Sequence, residues 1–99
     1  MPPGVSQARH TLTRVRASLL LARLRGGDLA NIRFADFRRL VEAVGFVLLR
    51  TKGSHHIYRQ PNAPVLLDLQ NADGMAKPYQ IRQFLRTMDQ HGLTPGGSE

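Results

Sequence analysis

The 99-residue chain contains no cysteine, so it has neither a disulfide nor a thiolate metal site, and a reducing cytosol suits it. No apolar run approaches the roughly 20 residues that a bilayer crossing requires. The nearest candidate, Ala17 to Leu24, is interrupted by Arg23. There is no internal repeat, and the first 27 residues carry no acid. Five arginines, Arg9, Arg14, Arg16, Arg23 and Arg25, stand in that acid-free stretch. They supply most of the net charge of +7, because the other nine basic residues face all seven acids. A basic surplus points to an anionic partner, and here that argument rests mainly on the N-terminal arm. The same composition resembles an organellar transit peptide, but no small-residue cleavage site follows the apolar run. Ninety-nine residues allow one domain with a modest core and exclude a two-domain enzyme.

What is present parses into elements. Leu12, Val15 and Leu19 recur at helical spacing, as do Leu20 and Leu24, which predicts an amphipathic helix ending at Gly26-Gly27. Phe34, Phe37, Leu40, Val41 and Val44 form one helical stripe with Arg38, Arg39 and Glu42 on the other side, and Gly45 stops it. Residues 46–50 read as a strand, 51–54 as a turn and 55–59 as a second strand, joined as an antiparallel hairpin. Gln60 to Pro64 is a loop by composition, and residues 65–70 make a third strand. Asn71 to Gly74 turns the chain out. Residues 77–90 then return to helical spacing through Ile81, Phe84, Leu85 and Met88, with Pro78 in the first turn, where its missing N–H costs nothing.

The expected fold class is α+β with the order α-β-β-β-α, preceded by one extra N-terminal helix. Two helices with one apolar stripe each should cover one face of a three-stranded antiparallel sheet, burying Phe37, Leu40, Phe84 and Leu85. This is the double-stranded-RNA-binding-like layout, which by itself does not fix a function.

The adjacent His55 and His56 open the second strand, and they admit three readings: a catalytic base with its neighbour, a pair of metal ligands, or surface residues of a binding module. Successive strand residues point to opposite faces. His55, Ile57 and Arg59 therefore share one side, while His56 and Tyr58 share the other. Divergent histidines make poor joint ligands, and Asp68 and Asp73 are the only carboxylates in the strand and turn region to join them, so no metal site is expected. His10 and His91 fall in surface or terminal segments.

The run GFVLLRTKGSHHIYRQP, residues 45–61, resembles the HicA-type toxins of bacterial toxin–antitoxin pairs. The shared features are a helix ending in Gly-Phe, a strand, a Lys-Gly-Ser-His turn, and a strand whose aromatic residue precedes a proline loop. AKPYQIRQFL, residues 76–85, and ANIRFADF, residues 30–37, resemble one subgroup of that family. The likeness spans about residues 19–93, which divides the chain into a basic arm at 1–18, disordered or helical, a single HicA-like domain at 19–93 and a frayed tail at 94–99.

The resemblance implies an mRNA-cleaving endoribonuclease that needs no metal or small-molecule cofactor, resides in the cytoplasm without a membrane association, and is held inactive by a HicB-type antitoxin. It places the essential histidine at His55. The chemistry is sound, since RNA carries a 2′-hydroxyl beside each phosphate and an imidazole can take or give a proton near neutral pH. Gly53 permits a tight turn and close approach by a phosphate, and Ser54 can donate a hydrogen bond. Lys52 and Arg50 suit charge stabilisation at phosphorus. His56, Lys77, Arg82 and Arg86 complete the expected supporting or RNA-binding set. The same residues also fit an ordinary hairpin turn with solvated charges, a non-catalytic RNA-binding module, or a chain whose partner is solely an antitoxin. One departure stands out. Many relatives have a further histidine near the end of the third strand, where this chain reads Leu67-Asp68-Leu69-Gln70, which leaves either water, Gln70 or a lysine as the helper of His55, or a weakly active member.

Overall fold

The computed structural model describes residues 4–96, with side chains for Leu12 and for Arg14 onward. The side chains of Arg9 and His10 and the last three residues of the tail lie outside the described set. Six elements follow one another: α1 (Gly4–Arg25), α2 (Phe34–Ala43), β1 (Val47–Lys52), β2 (His55–Gln60), β3 (Val65–Gln70) and α3 (Pro78–His91). The strands form one antiparallel sheet in the order β1-β2-β3. The fold is α+β, and no helix among the described residues is long and apolar enough to cross a membrane.

The sheet is a meander because its connections are too short for anything else. Lys52 pairs with His55, so only Gly53 and Ser54 lie between β1 and β2. Gly53 takes φ +59° at the first central position while Ser54 keeps an ordinary φ, the pattern of a II′ turn whose twist matches a hairpin. This moves β1 two residues beyond the expected 46–50 and shrinks the expected four-residue turn to two. Phe46 leaves the strand and enters the core. Gln60 pairs with Val65 across the next loop, which sets the β2–β3 register.

Alternation then sorts the side chains. Tyr58, Gln60, Leu67 and Leu69 are buried on one face. The helices cover that face, and Tyr58 reaches α2, where its hydroxyl donates to Glu42 Oε2 at 2.8 Å. Phe84 of α3 meets Phe37 of α2 edge-on, centroids 5.4 Å apart at 88°, and lies 6.0 Å from Phe46. Ile81 and Met88 are buried beside it. Leu85 differs from expectation and is only half-buried, because it sits one position around the helix from Phe84 and faces the edge of the cluster.

The end of α2 shows why the chain turns where it does. Gly45 N–H donates to Glu42 O and Phe46 N–H to Val41 O, the paired bonds of a Schellman motif. That motif needs a left-handed residue after the cap, and Gly45 has φ +105°. Helix α1 packs on α2 through Ala17 and Leu24, with Leu20 and Leu21 partly buried. An exposed ion pair between Arg25 and Asp89, 2.9 Å, ties its end to α3. Leu12, Val15 and Leu19 lie on the opposite, exposed side, so α1 is apolar on two flanks.

Candidate functional site

The sheet face away from the helices gathers most of the candidate residues. Cross-strand pairing arranges it in rows: Lys52, His55 and Gln70 in one, Arg50, Ile57 and Asp68 in the next. A register irregularity between Leu48 and Arg50 returns Arg50 to this face. A bulge in an edge strand does this by adding one residue, after which the alternation resumes with opposite phase. Without it, Arg50 and Lys52 would fall on the same face as Tyr58.

His55 therefore sits diagonally across from Asp68, and its Nδ1 lies 2.8 Å from Asp68 Oδ1. A carboxylate only accepts, so in this pair Nδ1–H donates. Nε2 is thereby the nitrogen that carries the lone pair in the neutral ring. Both side chains are about half exposed, 46% and 57%, so Nε2 is on a surface that a polymer can reach. Arg50, Lys52 and Arg59, also on this face, make no ion pair among the described residues. Their charge is left unspent on the protein. The pairing of Asp68 with His55 is a contact that the sequence did not reveal. In the segment Leu67-Asp68-Leu69-Gln70, where no further histidine stands, it is the Asp68 carboxylate that reaches the His55 ring.

His56 does something different. Its ring lies 4.7 Å from Phe34 on the helix side, and its Nδ1–H donates to Ser54 O at 3.2 Å. Ser54 O also accepts from Asn71 N–H at 2.8 Å. Asn71 thus ties the turn to the exit of β3 while His56 braces it from β2, and Gly53 and Ser54 are held at the border of the His55 face. The two histidines are separated by the sheet, one packed under it and one exposed above it.

The remaining candidates disperse. Lys77 caps α3, its Nζ 5.9 Å from the ring centroid of Tyr79. Arg82 and Arg86 are exposed on α3, in the layer behind the sheet, and the structure does not bring them to His55. His91 is exposed at the end of α3. Among the described residues no three His, Asp or Glu side chains gather as a metal-holding group.

The titration of one buried group bears on the scaffold. Burial, and after it the hydrogen bond and charge of Glu42, push the Tyr58 phenol well above its ordinary range. Tyr58 is a neutral donor at any working pH, a post between sheet and helix on the face opposite His55.

Comparison with known proteins adds one finding. The model of the family described as HicA toxin of bacterial toxin-antitoxin matches residues 34–92, from the first turn of α2 to the end of α3. No curated protein and no solved structure matches the chain.

Proposed function

The chain belongs to the HicA toxin family and is the toxin of a bacterial toxin–antitoxin pair, and from that premise we propose that it is a metal-independent endoribonuclease acting on messenger RNA through His55. The observation that carries this reading is the hydrogen bond from His55 Nδ1 to Asp68 on an exposed face that also presents unpaired Arg50 and Lys52. Asp68 selects the tautomer in which Nε2 is free to take a proton, and it favours the imidazolium that results.

The reaction follows from the substrate. His55 Nε2 removes the 2′-hydroxyl proton, O2′ forms a bond to the adjacent phosphorus, and the bond from phosphorus to O5′ breaks. The products are a 2′,3′-cyclic phosphate and a 5′-hydroxyl, whose proton comes from the imidazolium or from water. Arg50 and Lys52 stabilise the extra charge on the phosphoryl oxygens. Gly53 lets the backbone of RNA approach the turn without a side chain in its path. The nucleophile belongs to the substrate, so no bound metal is required.

A non-catalytic RNA-binding module would use the same cations to grip phosphates. It would have no use for a carboxylate that orients an exposed imidazole, which is why the catalytic reading is preferred. The partner that neutralises the toxin is proposed to be a HicB-type antitoxin. Purified protein and His55→Ala should be compared on a labelled RNA and on the same sequence with a deoxynucleotide at the scissile position. Cleavage by the wild type alone, of the ribo substrate alone and undisturbed by chelator, is the expected result. Equal cleavage of the deoxy substrate, or full activity in His55→Ala, overturns the mechanism.

A further inference from the structure

The first turn of α3 exposes an aromatic ring that the reaction above does not use. Tyr79 is 56% exposed, whereas the one other tyrosine, Tyr58, is fully buried. Tyr79 lies off the stripe of Ile81, Phe84 and Met88 that α3 buries, so core packing does not account for it. Yet the ring is not loose. Gln80 Nε2 donates to the Tyr79 hydroxyl at 3.2 Å, and Gln80 Oε1 accepts from Gln70 N–H at 2.9 Å. Gln80 itself is only 5% exposed, so this tether is anchored. Gln70 is the strand partner of His55. The tyrosine is thus fastened to a backbone position one strand spacing, about 5 Å, from that of the histidine. The Lys77 ammonium stands 5.9 Å from its ring centroid and adds a positive charge to the same spot.

A ring that is exposed, oriented in advance and accompanied by a cation is what an unpaired nucleobase with its phosphate requires. Bases stack on aromatic faces without regard to sequence, and a ring already held in place loses little freedom on binding. We propose that Tyr79 is a stacking platform for an unpaired base close to the scissile phosphate, with Lys77 on the adjoining phosphate, so that the substrate is single-stranded RNA. This rests on the ribonuclease reading, and it adds the substrate class and the residue that selects it. Bases within a duplex are already stacked on one another and cannot occupy such a platform.

The absence of tryptophan makes the test direct, because tyrosine emission is then the protein's own signal and Tyr58 is beyond the reach of a base. The probe is a dye-labelled single-stranded oligonucleotide with 2′-O-methyl groups throughout, which binds without being cut. Its anisotropy reports binding, and tyrosine emission in the same titration with unlabelled oligonucleotide reports stacking. Quenching is expected with the wild type. Tyr79→Phe should bind within about threefold of the wild type without quenching, and Tyr79→Ala should bind about 5- to 100-fold more weakly with an unchanged melting temperature. The same sequence as a duplex should not quench. Binding without quenching, together with wild-type affinity in Tyr79→Ala, overturns the platform and leaves the ribonuclease reading standing. No anisotropy change with any RNA sinks both. Loss of antitoxin affinity in Tyr79→Ala with RNA affinity intact assigns the ring to a protein contact and also overturns the proposal.

Discussion

Asp68 offers the sharpest test of the proposed chemistry, because its effect on rate and its effect on stability should separate. Replacing it by alanine removes the 2.8 Å bond to His55 Nδ1. Both partners are about half in water, and exposed ion pairs contribute between zero and about 1 kcal/mol to folding. The unfolding free energy should therefore fall by about 0.5 kcal/mol or less. The rate depends on more, since Asp68 both holds the ring and offsets the charge that His55 acquires in the transition state. A hydrogen bond to a charged group is worth about 1.5–3 kcal/mol, and exposure reduces this to about 1–2 kcal/mol here. That corresponds to a drop in kcat of about 5- to 30-fold. KM should stay the same or fall, because a negative charge leaves a face that binds a polyanion. Asp68→Asn keeps an acceptor oxygen within reach and loses only the charge, so its kcat should lie between those of the wild type and Asp68→Ala. Single-turnover and steady-state cleavage of a labelled RNA, paired with urea unfolding, measure both quantities. Wild-type kcat in both variants would show that the pair is a surface contact with no part in catalysis. A stability loss large enough to account for the rate would refute the reasoning equally.

Further expectations concern the scaffold. Phe84→Ala should cost about 3–5 kcal/mol, the range for a fully buried aromatic, because it loses the edge contact with Phe37 and the neighbouring Phe46. Leu85→Ala, from a half-buried site, should cost about half as much in the same denaturation assay. Among the described side chains, truncation at Ser18 removes one buried methyl, at Ala17, and leaves Leu20, Leu21 and Leu24 in place, so stability should fall by about 1 kcal/mol. If Arg9, Arg14 and Arg16 all meet phosphates, the same truncation should reduce the slope of log K against log salt for RNA by about 2; a melting temperature lowered by more than about 15 °C would make the arm part of the core. The folded state holds the Tyr58 proton more tightly than the unfolded chain does. Its contribution is therefore complete below about pH 10 and declines above it, by at most about 1.4 kcal/mol per pH unit. Tyr58→Phe should lack that extra decline in stability measured from pH 9 to 11.

The order of elements was legible because each carries a local cause. The stripe from Phe34 to Val44 and that from Ile81 to Met88 repeat at 3.6 residues, Gly45 supplies the left-handed residue a Schellman stop requires, and Pro78 can begin a helix but not continue one. The opposite faces of His55 and His56 followed from strand alternation alone. Gly53-Ser54 was recognisable as a turn, and its signature within the surrounding elements pointed to the family that the comparison bears out. These features depend on residues close together in the chain, so they survive without knowledge of the fold.

What only the tertiary structure decided depends on residues far apart in sequence. The partnership of Asp68 with His55 is a matter of register across β2 and β3, settled when Gln60 pairs with Val65. A loop read as Pro61 to Pro64 would have produced that register, but nothing local says how tightly the loop closes. The bulge after Leu48 that returns Arg50 to the His55 face is equally invisible, since an extra residue in a strand looks like any other residue. Which flank of α1 is buried was not in its spacing either, because Leu12, Val15 and Leu19 form as good a stripe as the one around Leu24 that α2 covers. Periodicity names the faces of a helix, and only the shape of its neighbour chooses between them. Tyr79 shows the same limit from the other side: its position in α3 was readable, but its attachment through Gln80 to the strand beside His55 required the packed fold. Local sequence determines which elements form, and the long-range contacts that close the chain on itself determine which side chains meet.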